Sequence, residues 1–189
     1  MSVWYGYVLA ALWLGWAAYW AITSVGGKPV ARSESWQSRL GYSVPLWIAA
    51  VLLLSRHMPY PLGGRILPVA NCTASVGVIL TAAGLGFAIW ARIHLGTNWS
   101  ADVTVKEGHE LVRSGPYALA RHPIYTGLTL AFLGTAIVIG EWRAVIAMAI
   151  AVASFWYKLT LEERVMTQTV GREYDDYKRQ VKALIPFVI

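Results

Sequence analysis

The chain has 189 residues, 57% hydrophobic and only 14% charged, with ten tryptophans, ten tyrosines and a formal charge of +6. Soluble domains average about 45–50% apolar and 25% charged residues, so this composition excludes an ordinary soluble protein. It describes an all-α integral membrane protein, since a backbone in lipid must satisfy its own hydrogen bonds and the aromatic load suits membrane interfaces.

Five apolar segments follow in order. Val3–Thr23 is long enough to cross about 30 Å of hydrocarbon at 1.5 Å per residue. It lacks an early basic region and a small-residue cleavage site, so it is expected to remain as a helix rather than be removed. Tyr42–Ser55 is marginal in length and ends in the Pro- and Gly-rich "RHMPYPLGGR". The third runs from about Ile66 to Ala91 and contains Cys72, read as a small buried residue. The fourth, from about Ile124 to Ile139, is short for a crossing. The fifth runs from Trp142 to about Leu161, and "GEW" between them permits only a tight hairpin. Residues 1–92 are thus three transmembrane helices, and residues 93–189 carry the functional region within the same structural domain.

With five crossings, Arg56, Arg65 and Arg143 fall on the side of the N-terminus, and the other 13 of 16 Lys and Arg fall opposite. That bias predicts an N-terminus outside and a C-terminus in the cytoplasm, as in a bacterial-type inner (plasma) membrane. The net charge then needs no nucleic acid; a basic skirt facing anionic membrane lipid accounts for it. The sequence specifies no oligomeric state. Small residues spaced for helix contact occur at Ala74, Ala82 and Gly86, at Ala147 and Ala151, and at Ala149 and Ala153.

Polar residues are costly in a membrane, so function is sought where they collect. Two stretches qualify: "HLGTNWSADVTVKEGHELVRSGPYALARHPIYTG" from His94, and "KLTLEERVMTQTVGREYDDYKRQVKALIPF" from Lys158. Pro116 and Pro123 prevent the first from being one regular helix. Pro123 suits the first position of the fourth helix, which puts Arg121 and His122 just before a helix N-terminus and Tyr125 on its first turn. In the second stretch, Glu162 and Glu163 are adjacent and do not share a helical face, so a two-carboxylate acid–base pair is not expected. Acidic groups at a helix C-terminus oppose its dipole, which predicts a positive partner for at least one. Tyr174, Tyr177 and Val181 form one stripe of a tail helix expected to lie on the membrane or over the loop. His94, His109 and His122 lack ligand spacing, and no metal site is expected.

The combination of "GHELVRSGPYALARHPIYTG", an apolar hairpin, "EE" and "GREYDDYKRQVKALIPF" resembles the isoprenylcysteine carboxyl methyltransferase family and its phospholipid methyltransferase relatives. The resemblance covers the chain from His94 onward. It implies a helical membrane enzyme that binds S-adenosylmethionine on the cytoplasmic side. Carried over by position, it implies cofactor binding by His109, Leu111, Val112, Tyr117, His122, Pro123, Tyr125, Gly127 and Glu162, with Gly115 and Pro116 in the stretch closing over the adenosine. Arg121 and Glu163 are the implied catalytic residues. Lys158 stands where family members commonly carry Arg, which keeps the charge and loses the bidentate geometry.

The expected substrate is a lipophilic or prenylated small molecule. A carboxylate acceptor is already ionised and needs no base, with Arg121 to position it. An amine acceptor would need Glu163 or His122 as base. Three other readings compete: a lipid-amine methyltransferase, an NADPH-dependent membrane reductase, and a non-enzymatic transport or scaffold protein. The reductase reading is weakened because the loop from Ile93 to Tyr117 carries only Lys106 and Arg113 against three acids.

Overall fold

The structure, a computed structural model, describes residues 3–24, 30–55, 58–99, 104–106 and 111–185. Six helices are present among them: α1 (Val3–Thr23), α2 (Trp36–Leu54), α3 (Asn71–Leu95), α4 (Pro123–Ile139), α5 (Trp142–Val170) and α6 (Arg172–Gln180). Two short strands, β1 (Val30–Ser33) and β2 (Thr104–Lys106), pair antiparallel and tie the α1–α2 connection to the α3–α4 connection. Helices α1, α2, α3 and α5 are long and apolar enough to cross a membrane, and this is an integral membrane protein; α4, at 17 residues, is shorter.

Helices α3 and α4 form the centre, and glycines determine how closely they meet. A Cβ at Gly84 would lie 2.4 Å from the carbonyl of Gly127, and one at Gly77 would lie 2.5 Å from that of Gly134. The two backbones therefore touch, antiparallel, at two levels, the close approach small residues permit in membranes. Around this contact Ala88, Ala131, Ala147 and Ala151 are fully buried, with Leu85, Leu128, Phe132 and Phe155 filling the rest of the core. Helix α4 ends at Gly140, whose φ of 63° opens the hairpin into α5. A side chain there would be strained.

The helices alternate in direction. Tyr5 meets Ser75 at 3.0 Å, and Arg92 donates to the carbonyl of Thr23 at 2.5 Å, which sets α1 parallel to α3. Arg143, at the start of α5, donates to the carbonyl of Leu52 near the end of α2 at 2.8 Å. One end of the bundle thus holds Arg65 and Arg143, and the other holds the polar stretches singled out by the sequence.

Several expectations are corrected. Helix α2 begins at Trp36 rather than Tyr42, because Ser35 caps it by accepting from the Ser38 amide, and Pro45 is carried within it. Helix α5 runs to Val170, past the charged "EER", so the glutamates sit inside a helix and not at its C-terminus. The expected contact face of α3 holds at Ala74, which is buried, but fails at Ala82 and Gly86, which are exposed; from Ala74 the buried row runs through Gly77, Thr81, Gly84 and Ala88. Likewise Ala147 and Ala151 are buried while Ala149 and Ala153 are exposed. Cys72 is exposed on the first turn of α3, not buried. The β ribbon was not expected in an all-helical chain.

Candidate active site

Pro123 starts α4 with no amide to satisfy, and His122 is its N-cap residue. The backbone amides of Arg121 and His122 donate to the carbonyls of Lys182 and Ala183, at 2.8 and 2.9 Å. Thr126 donates through its hydroxyl to the carbonyl of Leu184 at 2.6 Å. The C-terminal tail is therefore laid across the start of α4. Of the two places expected for it, the loop is the one observed. Tyr174 and Tyr177 of α6 are buried beneath it, and the Tyr177 hydroxyl donates to the carbonyl of Tyr117 at 2.5 Å.

This docking brings the two sequence stretches together. The imidazole of His122 lies between the adjacent glutamates, Nδ1 3.3 Å from Glu162 and Nε2 3.3 Å from Glu163. Although the glutamates point from different faces of α5, the ring sits on the ridge between them and meets both. Glu162 also accepts from the Tyr125 hydroxyl at 2.5 Å. Glu163 is held by Arg121 at 2.6 Å and faces Lys178 at 3.4 Å. The expected positive partners are present. Every nitrogen of the Arg121 guanidinium is engaged: Nε and Nη2 with Glu163, and Nη1 with the carbonyls of Lys178 and Val181.

Burial of the His122 ring disfavours its charge, but hydrogen bonds and attraction from both glutamates outweigh this and raise its pKa above the ordinary imidazole value. The ring thus joins two carboxylates, which favour its charged form. Burial pushes the Tyr177 phenol up to about 12, and burial with the nearby Glu162 raises Tyr117 as well, so both stay neutral.

Next to this cluster is a cavity of about 1240 Å³. Its polar chamber is lined by Leu111, Val112, Tyr117, Arg121, His122, Pro123, Tyr125, Glu162, Tyr174 and Tyr177. From there it continues as an apolar groove between α1 and α2, over Leu128, Phe132, Thr135 and Ile139 of α4. Trp13 of α1 spans the groove floor, donating to Thr135 at 3.0 Å and packing on Phe132.

Of the residues implied by the resemblance, Leu111, Val112, Tyr117, Arg121, His122, Pro123, Tyr125 and Glu162 share this lining. Glu163 lines a smaller pocket on the other side of α5, with Thr160 and Lys178. Gly127 stands at the contact with α3, where a Cβ would lie 2.5 Å from the carbonyl of Gly84. His109 lies outside the described residues. Gly115 does not line the cavity: at φ 58° it leaves room for the His94 ring, which a Cβ would meet at 2.8 Å. Lys158, singled out in the sequence as a departure from the family's Arg, also lines the cavity, and sequence reasoning missed Asn98 and Trp99. Their only signal was position, since Asn98 and Trp99 are the first polar-aromatic pair after the apolar run of α3.

The lining has the chemistry to hold a nucleoside-like cation. It combines a carboxylate, several aromatic faces and the Oδ1 of Asn98, which is buried without a hydrogen-bond partner.

The chain matches the phospholipid methyltransferase family over residues 72–173, more than half its length. It is 34% identical over 84 residues to protein-S-isoprenylcysteine O-methyltransferase B of Arabidopsis thaliana, covering 44% of this chain and 43% of the relative. To protein-S-isoprenylcysteine O-methyltransferase of Rattus norvegicus it is 33% identical over 119 residues, covering 58% of this chain and 42% of the relative. The corresponding protein of Schizosaccharomyces pombe is 30% identical over 101 residues, 52% of this chain and 43% of the relative. These matches span less than half the length of those three relatives. With the matched region running from the first turn of α3 through both halves of the His122 cluster, the chain belongs to the phospholipid methyltransferase family.

Proposed function

We propose that this protein transfers a methyl group from S-adenosylmethionine to the carboxylate of a lipophilic, prenylcysteine-like acceptor within the membrane. The observation that carries the choice of acceptor is the His122 cluster. An amine acceptor must lose a proton, and the two candidate bases are both committed: His122 is held between Glu162 and Glu163, and Glu163 is held by Arg121 and His122. A carboxylate has a pKa of about 3.5 and requires no base at neutral pH, so a site without one suits it. The apolar groove leading to the chamber supports an acceptor with a long hydrocarbon part. The names of the relatives, isoprenylcysteine O-methyltransferases, agree with that chemistry.

Within the chamber, Glu162, Tyr117, Tyr125, Asn98, Leu111 and Val112 would hold the cofactor. Bound S-adenosylmethionine supplies an electrophilic methyl group on a fixed sulfonium cation. The chain's own part is alignment and exclusion of water. Tyr174 and Tyr177 of α6 wall the chamber on one side, while Tyr125, stacked between His122 and Phe155, holds Glu162 in place. The charge bias of the sequence supports a cytoplasmic position for the chamber.

The test is methylation by purified protein in lipid, offering an N-acylated S-prenylcysteine and phosphatidylethanolamine in separate reactions. The expected product is a base-labile methyl ester on the former. Base-stable methylation of the latter alone would replace the carboxylate reading with the lipid-amine one.

A further inference from the structure

We infer that α1 and α2 make the groove a slot that measures the acceptor's hydrocarbon chain and fits about four isoprene units, an inference that rests on the methyltransferase reading above. Along α1, Gly6, Ala10, Trp13 and Ala17 recur at helical spacing, and all four line the cavity. Trp13 is bulky and the other three are small. Its indole is fixed by the hydrogen bond to Thr135 at 3.0 Å and by edge contacts with Phe132 and Trp16, and Trp16 stacks in turn on Trp20 at 4.8 Å. The groove does not close at this indole. On its far side Gly6, Leu9 and Ala10 of α1, with Val138 and Ile139 of α4, line the same cavity. A Cβ at Gly6 would meet nothing within 4 Å, so no neighbouring side chain fills the far end there.

The length of the slot follows from the helices that line it. On α4 the lining runs from Tyr125 to Ile139, a rise of about 21 Å, and on α2 from Tyr42 to Ser55, a rise of about 20 Å. Carbon–carbon bonds of about 1.5 Å advance an extended chain by about 5 Å per isoprene unit, so about four units fill it. Thr135, which marks the level of Trp13, stands about 15 Å beyond Tyr125. A third unit therefore ends at the indole, and a fourth lies past it, beside Ala10. The cavity of about 1240 Å³ exceeds the usual size of a site for one small ligand, about 300–1,000 Å³, and so has room for a cofactor and a long acceptor together. Lipid tails are as apolar as this groove, so moving the chain out of the bilayer gains no hydrophobic free energy. Length preference comes instead from packing against fixed aromatic faces, and it stops where the lining stops. Helices α1 and α2 precede residue 72, where the family match begins, so the wall that sets the length belongs to this chain's own first half.

The test uses N-acetyl-S-prenylcysteines of two and of four isoprene units, each with a photoreactive diazirine at the chain end. They are crosslinked to wild-type protein in lipid nanodiscs without cofactor, and the adducts are mapped by peptide mass spectrometry. The longer reagent is expected to label residues 6–10 or Val138 and Ile139, and the shorter one residues on the chamber side of Trp13. In Ala10→Phe the new ring points toward the helix N-terminus, into the far stretch. That variant should raise KM for the four-unit acceptor about fivefold or more and for the two-unit acceptor less than about twofold. Labelling of the same residues by both reagents would overturn the inference, as would labelling of no groove residue, the result if a bilayer lipid occupies the slot. Equal KM changes for the two acceptors in Ala10→Phe would overturn it as well. The crosslinking needs no variant, cofactor or turnover, so it decides the length of the slot separately from methyl transfer. Failure of wild type to bind S-adenosylhomocysteine would instead count against the methyltransferase reading.

Discussion

The two ends of the bundle carry nearly the same device, and only at one of them does the device's arginine line the cavity. At one end Arg143, buried to 5% exposure, holds Glu141 at 2.6 Å and donates to the carbonyls of Leu52, Leu53 and Ser55 where α2 stops. At the other, Arg121 holds Glu163 at 2.6 Å and donates to the carbonyls of Lys178 and Val181 where the tail passes. In both, a guanidinium neutralises a carboxylate and satisfies carbonyls that a helix end leaves open. What differs is the surroundings of the second clamp. There a histidine recruits a further glutamate, the glutamate is positioned by Tyr125, and these polar side chains themselves line the large cavity, which at the first clamp reaches Leu53 and Ser55 but neither Arg143 nor Glu141. An arginine–glutamate clamp is a structural solution available at any helix junction. Function requires the additional polar group facing an open volume.

The largest effect that sharpens this comparison is expected at Glu162. Glu162→Gln should lower kcat/KM by about 100-fold or more, equivalent to about 2.7 kcal/mol, with the melting temperature nearly unchanged. Steady-state kinetics alongside thermal unfolding in detergent would check it. The mirror experiment is Arg143→Met, which leaves three carbonyls unpaired and Glu141 with only the Arg65 guanidinium at 4.0 Å, and should cost about 3 kcal/mol of stability. Its affinity for S-adenosylhomocysteine, measured at a temperature where the variant is folded, should match wild type. A loss of affinity equal to that of Glu162→Gln would erase the distinction between the two ends.

A smaller effect is expected from Gly84→Ala, which pushes a methyl into the carbonyl of Gly127 and should cost about 2 kcal/mol by forcing α3 and α4 apart. Thermal unfolding reads it directly. The smallest effect is pH-dependent. Because the His122 pKa is raised in the folded protein, its ion pairs add stability that is fully present below the ordinary value of 6.5 and lost as pH rises through the elevated value. The stability difference between wild type and His122→Gln, taken from melting curves across pH, should therefore shrink as pH increases.

Local features were legible in the sequence and long-range ones were not. Helix α1 coincides with the expected Val3–Thr23, and Pro123 opens α4 as its missing amide requires. Helix ends controlled by capping were less visible: the apolar run of α2 starts at Tyr42, but Ser35 starts the helix. Two rows of small residues run along α3, and only contact with Gly127 and Gly134 decides that the Gly77–Gly84 row is the buried one. The stripe of Tyr174 and Tyr177 was readable as an amphipathic face, but not its partner, since docking depends on amides in Arg121 and His122 some 60 positions earlier. The pairing of His122 with the glutamates follows from no periodicity; only the resemblance suggested that these residues work together. Pairing of β1 with β2 is of the same long-range kind.

The central claim is tested most directly by calorimetric titration of the detergent-solubilised protein and of Glu162→Gln with S-adenosylhomocysteine, with NADPH titrated in parallel. Wild type is expected to bind S-adenosylhomocysteine and not NADPH, and Glu162→Gln to bind it at least about tenfold more weakly. Binding of NADPH alone, or of neither nucleotide by folded wild type, would contradict it.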